Sequence, residues 1–157
     1  MKKPNSVILT KEEQIDTIKK AKIISLEIQR SKYKMFLTQY IEKELLEKAK
    51  YIIVSPTKKA GAVVTKDKDI TSVFNNSSER GEGTKMLMEA IEKGGRTLDH
   101  IDGYLSKVYE KMGFEEVKKM KWDDKYAPKG WDYKKDDKPD IIFRKLNLKK
   151  YEQFKNR

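Results

Sequence analysis

"DITSVFNNSSERGEGTKMLMEAIEKGG", residues 69–95, decides how the chain is laid out. It opens on β-branched and aromatic residues, passes through a polar loop carrying Gly81 and Gly83, and continues as a helical pattern that Gly94 and Gly95 end. A strand entering a helix through such a loop is a unit of a mixed α/β protein, because the helix buries its apolar stripe by lying back on the sheet. The loop can aim backbone N–H groups, and the positive end of the helix dipole, at a phosphate. Glycine there permits close backbone approach or positive φ. Arg80, Lys85 and the Thr84 hydroxyl would add charge and a hydrogen bond. The stretch is neither a Walker A sequence nor G-x-G-x-x-G, and an ordinary glycine-rich turn before a helix reads the same way.

Towards the N-terminus, "YIIVSP" and "GAVVTK" repeat the strand signature, and the short polar breaks "TKK" and "DKD" join them to "DITSVFN" as three antiparallel strands. Before these, Thr10 and Glu13 form a capping box, with Ile15, Ile18, Ala21, Ile24 and Ile28 at helical spacing over Lys11 to Arg30. Phe36, Leu37, Tyr40, Ile41, Leu45 and Leu46 mark a second helix ending near Lys50. Towards the C-terminus come a strand "TLDHID", a helix "YLSKVYEKMGF", a strand "EEVKKMKW", an irregular stretch from Asp123 to Lys138, and a last strand "PDIIFRKL". The order α-α-β-β-β-loop-α-β-α-β-β predicts a mixed α/β (α+β) fold: one domain over 1–157, its sheet mostly antiparallel and flanked by helices. Residues 1–50 are its helical N-terminal pair, 51–146 the sheet with its helices, and 147–157 a tail.

The 157 residues, 37% of them apolar, suffice for a single core. No apolar run approaches the ~20 residues of a membrane span, and the basic start has no apolar stretch behind it, so a soluble cytoplasmic protein with no membrane partner is expected. The absence of cysteine excludes disulfides and thiolate sites, and one histidine leaves little for a metal cluster, so no metal is expected. The net charge of +11 would draw the chain towards nucleic acid, but the lysines are interleaved with Glu and Asp as on solvated helix faces.

The Arg-x-x-Gly loop between strand and helix, followed by a second strand and a helix ending "VYEKMGF", resembles the GNAT superfamily of acyl-CoA-dependent N-acetyltransferases. Arg80 and Gly83 occupy the first two key positions of that family's Gln/Arg-x-x-Gly-x-Gly/Ala loop, and Lys85 replaces its last small residue. Val108, Tyr109, Gly113 and Phe114 fill its Leu-Tyr-x-x-x-Gly-Phe pattern, and Asp102 stands where the family often has Asn. The family's first strand has no counterpart unless "SVIL" supplies a stub. The segment 121–143 also looks like small proteins carried in prophages of Gram-positive bacteria.

The resemblance implies a GNAT-like domain transferring an acetyl group from acetyl-CoA to an amine acceptor, small molecule or protein, by direct attack. The amides of Gly81 to Lys85 would take the pyrophosphate, and the pantetheine arm would run between the strands around Val73 and Leu98. Tyr109, at the family's position for the acid, would protonate the leaving thiolate; a phenol titrating near ~10 can donate to a thiolate whose thiol titrates near ~8.5. Asp99, His100 and Asp102 lie on or beside one strand, and among them His100 and Asp102 are the candidates for the base, with water as the alternative. Asp123, Tyr126 and Trp131, in the insertion "KWDDKYAPKGWDY", combine carboxylates and rings that suit a cationic amine over the cleft, or else simply plug the sheet edge. The alternative is a catalytically weak or inactive GNAT-like binding protein of a phage or mobile element that engages a host protein or nucleic acid.

Overall fold

In the computed structural model, residues 10–31, 37, 42–78, 80–103, 105–127 and 130–157 are described, without the side chains of Tyr126 and Asp136. The first helix, α1 (Lys11–Arg30), starts on its capping box. Thr10 Oγ1 accepts from Glu13 N at 3.1 Å, and the Glu13 carboxylate accepts from Thr10 N at 3.4 Å. Core contact begins only at Ala21; Ile15 and Ile18 stay exposed, so the first turns of α1 carry none of the packing their spacing predicts. The second helix, α2 (Glu42–Lys48), ends two residues before the expected Lys50 and gives way to strand at Ala49; Phe36, Tyr40 and Ile41, expected on its apolar side, lie outside the described residues.

Strands β1 (Ala49–Val54), β2 (Ala60–Thr65) and β3 (Ile70–Asn75) form a three-stranded antiparallel sheet in chain order. α1 covers one face, where Ala21, Ile24 and Ile28 pack with Leu45, Val63 and Phe74. Its approach is close at Gly61, where an added Cβ would stand 2.5 Å from Ile24 Cδ1 and 2.7 Å from the Ile53 carbonyl. The helix α3 (Glu82–Glu92) covers the other face through Met86, Leu87, Ala90 and Ile91.

A second three-stranded antiparallel sheet has β6 (Ile141–Leu146) between β4 (Thr97–Ile101) and β5 (Phe114–Met120). The single sheet expected from the sequence is thus divided in two. Helix α4 (Leu105–Met112) lies on the inward face of this second sheet, and Gly113, at φ 109°, lets the chain reverse straight into β5. The expected tail is a further helix, α6 (Leu148–Lys155), capped by Asn147 and docked through Tyr151, which is 1% exposed. Between β5 and β6 the irregular stretch holds a 3-10 turn (Asp124–Tyr126) and a single helical turn, α5 (Tyr133–Asp136).

Candidate active site

β3 and β4 run parallel, connected through α3, and touch at one bridge, Asp69 with Thr97. Beyond it each strand keeps its ladder partner on the far side, β2 for β3 and β6 for β4, and the facing edges part. Unpaired strand edges expose backbone N–H and C=O groups that need partners. The wedge between them opens into a cleft of about 720 Å³ lined by both strands, the start of α3, and Val108 and Tyr109 of α4. Ser31 and Leu37 also line it. The β3 edge is further disturbed by a bulge: Gly61 faces Phe74 and Val63 faces Thr71, so Ser72 and Val73 together oppose Ala62.

Gly81, Gly83, Thr84 and Val73, all expected around a phosphorylated ligand, line this cleft. Gly81 is the N-cap of α3 at φ 86° and supplies no side-chain cap, so the first-turn amides of α3 lack the usual side-chain acceptor. Gly83 is not required by the chain's own packing, since an added Cβ would meet nothing nearer than Asn75 Cβ at 3.6 Å. It leaves room in the cleft instead. Arg80, on the loop, and Lys85, in the first turns of α3, are exposed and do not line the cleft, and Glu82 is buried in the first turn beside the same amides.

Tyr109 is buried, with its ring 4.7 Å from that of His100 and 6.1 Å from that of Phe114 (centroid distances). Its hydroxyl has no hydrogen-bond partner among the described residues, and burial pushes the phenol up to about 12. Below it lies a buried guanidinium. Arg144, 1% exposed on the inward face of β6, donates from Nε to His100 Nε2 at 2.8 Å, from Nη1 to the Phe114 carbonyl at 3.1 Å and from Nη2 to Glu110 Oε1 at 3.3 Å. His100 Nδ1 is 3.0 Å from the Ile101 carbonyl. Nε2 must therefore accept and Nδ1–H must donate, which makes His100 a neutral imidazole with both nitrogens engaged. Burial, with the Arg144 charge adding to it, lowers its pKa. A ring so placed has no lone pair to offer an incoming ammonium, which removes His100 as the base and makes it the support of Tyr109.

The carboxylates of the strand divide differently from the expectation. Asp102 lines the cleft, but its Oδ1 accepts from Ser106 Oγ at 2.8 Å, steadying the entry to α4. Asp99, on the face of β4 opposite His100, also lines the cleft; it is exposed by accessible surface, yet the partial desolvation of its carboxyl between the cleft walls raises it above the usual range. Asp69, at the bridge, is likewise raised by burial while accepting from Thr97 Oγ1 at 2.8 Å.

The insertion does not bring Asp123 and Trp131 to the cleft. Trp131 is buried against Trp122 at 4.8 Å between centroids and donates Nε1–H to the Asp137 carbonyl at 2.9 Å. Asp123 caps the 3-10 turn by accepting from Lys125 N at 3.0 Å. Asp124 accepts from Trp122 Nε1 at 2.9 Å and from the Tyr133 hydroxyl at 3.0 Å. These bonds, the one from Trp122 foremost, hold its carboxyl below the usual range. The insertion is a small cluster of its own; the side chain of Tyr126 lies outside the described residues.

Arg144 and Ser72 were not singled out from the sequence, and Asp99 was named there without being chosen as the base. Arg144 alternates with Ile142 and Leu146 in "IIFRKL", and period two already places it on their face. Asp99 shares the strand of His100 and needed only the choice of face. Ser72 gives no sequence signal, because its bulge arises from pairing. No protein family, curated protein or solved structure matches this chain.

Proposed function

We propose that the chain is an acyl-CoA-dependent N-acetyltransferase of the GNAT type, moving an acetyl group from acetyl-CoA to an amine. The observation that carries this reading is the wedge: two parallel strands part after one bridge and leave open edges between a helix start without a side-chain cap and a buried, unpartnered phenol. An extended arm bearing amides can pair with such edges as an added strand would. Val73 and Leu98 stand on the two edges, the first-turn amides of α3 suit a pyrophosphate, and the space beside Gly83 fits close backbone approach. Glu82 opposes an anion there, and Arg80 and Lys85 are the charges that offset it.

Asp99 takes the proton that an ammonium must lose before it attacks, since partial desolvation raises its carboxyl while the Asp102 carboxylate is engaged by the Ser106 hydroxyl. As the amine nitrogen bonds to the carbonyl carbon and the C–S bond breaks, Tyr109 gives its proton to sulfur. The attacking nitrogen, cationic after it bonds to carbon, releases its second proton to water as the amide forms, and the proton held at Asp99 returns through water to the phenolate; ammonium and thioester thus give amide, free thiol and one proton in solution, and the enzyme is unchanged. The acceptor is a cationic amine rather than a polyanion: the charged groups in the cleft lining are Asp99 and Asp102, with no Lys or Arg among the described lining residues, in a chain carrying 36 of them.

Titration calorimetry with acetyl-CoA tests the reading, followed by release of free thiol with a panel of primary amines. The protein contributes no cysteine to a thiol assay. Saturable binding that Gly83→Val abolishes is expected; a folded protein that binds neither acetyl-CoA nor CoA overturns the proposal.

A further inference from the structure

Ser72 carries two unfavourable features at once. Its Oγ is buried with no hydrogen-bond partner, alone in this among side-chain atoms of the described residues, and the residue itself is 4% exposed. Its backbone sits at φ 56°, a left-handed conformation that non-glycine residues avoid. An orphan hydroxyl and a strained backbone both cost stability, and together at one position they mark a group held for something outside the chain's own packing. The position is telling. Ser72 is at the β3 bulge, on the strand whose other edge is open, and it lines the same cleft as Tyr109 of α4.

We propose that the Ser72 hydroxyl donates a hydrogen bond to the acyl carbonyl oxygen in this cleft. The assignment rests on the acyl-transfer reading above. Attack on a thioester puts negative charge on that oxygen, and the group that stabilises it must be a donor in a place shielded from water. Ser72 Oγ is the enclosed hydroxyl of the cleft without a protein partner, and the Tyr109 phenol, on a buried ring, has no hydrogen-bond partner among the described residues either. The leaving sulfur requires transfer of a proton, which suits the phenol; the carbonyl oxygen requires a hydrogen bond alone, which leaves Ser72. No hydrogen bond holds its χ1, and because Oγ is enclosed, it meets a group in the cleft by turning about χ1 from its present rotamer.

The test compares acetyl-CoA with CoA by titration calorimetry, because only the former offers the carbonyl. The wild type is expected to bind acetyl-CoA about ten-fold more tightly than CoA. Ser72→Ala is expected to bind the two alike, keep its affinity for CoA, and melt at the same or a higher temperature because a buried orphan is gone. Ser72→Gly, which also relieves the backbone, repeats the loss of preference. A wild type without preference, a Ser72→Ala protein that keeps it, or a lowered melting temperature overturns the assignment and leaves the acyl-transfer reading standing. Failure of the folded wild type to bind either ligand overturns both.

Discussion

At Tyr109 the proposed chemistry and the packing of the protein meet, and pH separates them. The phenol ordinarily titrates at 10.0 and is pushed up to about 12 by burial. Between those values the folded state holds a proton that the unfolded chain has lost, so stability present below about pH 10 declines until about pH 12. Melting temperatures over that range should fall in the wild type and fall less in Tyr109→Phe. The same substitution should lower turnover by about 10²-fold or more while leaving acetyl-CoA affinity unchanged, since it removes a proton donor and no contact area. His100 acts at the other end of the scale. Its folded value lies below the ordinary 6.5, so stability is full above that pH and declines as pH falls below it. His100→Gln, which keeps an acceptor for Arg144 and does not titrate, should remove that acid-side decline in melting temperature. Tyr109 was legible in the sequence because a local pattern, Tyr with Gly and Phe after it, fixes it on a helix end. The neutral state of His100 was not, because the guanidinium that imposes it arrives from a strand 44 residues further on.

At the scale of elements, the strand–loop–helix unit was legible because glycines and spacing lie within one stretch, and the structure keeps it as β3 and α3. Its two glycines then differ. Gly81 is held at φ 86°, whereas Gly83 lies in the first turn of α3 with room for a side chain. Gly83→Ala should therefore raise the melting temperature slightly, by about 1 kcal/mol of helix propensity, while weakening acetyl-CoA binding. A drop in both would mean the cleft needs Gly83 for its own shape. The insertion was half legible: its composition excluded a strand, but the stacking of Trp122 on Trp131, and the bonds from Trp122 and Tyr133 that converge on Asp124, depend on the chain folding back. Trp131→Ala should cost about 3 kcal/mol of stability, seen in thermal melts, and leave acetyl-CoA affinity intact. Helix α6 escaped notice because eight residues with Leu148, Tyr151 and Phe154 as their apolar positions look like a tail until Tyr151 is seen buried.

For the whole molecule, the mixed α/β class followed from the alternation of helical and strand periods along the chain. The division of the sheet did not, since it depends on where β3 and β4 cease to touch. The charge of +11 sits outside a cleft whose charged lining is acidic, so long-range attraction and local selection oppose each other: anions gather at the surface while a cation is favoured inside. The one bridge between Asp69 and Thr97 has a last consequence, for how the molecule exchanges its amide protons. Past that bridge, the wedge-facing amides of residues 70–75 and 98–101 have solvent where a neighbouring strand would be, and should trade hydrogen for deuterium far sooner than those that face β2 and β6. A ligand laid along the wedge would slow both sets together, as though a missing strand had been returned to the sheet.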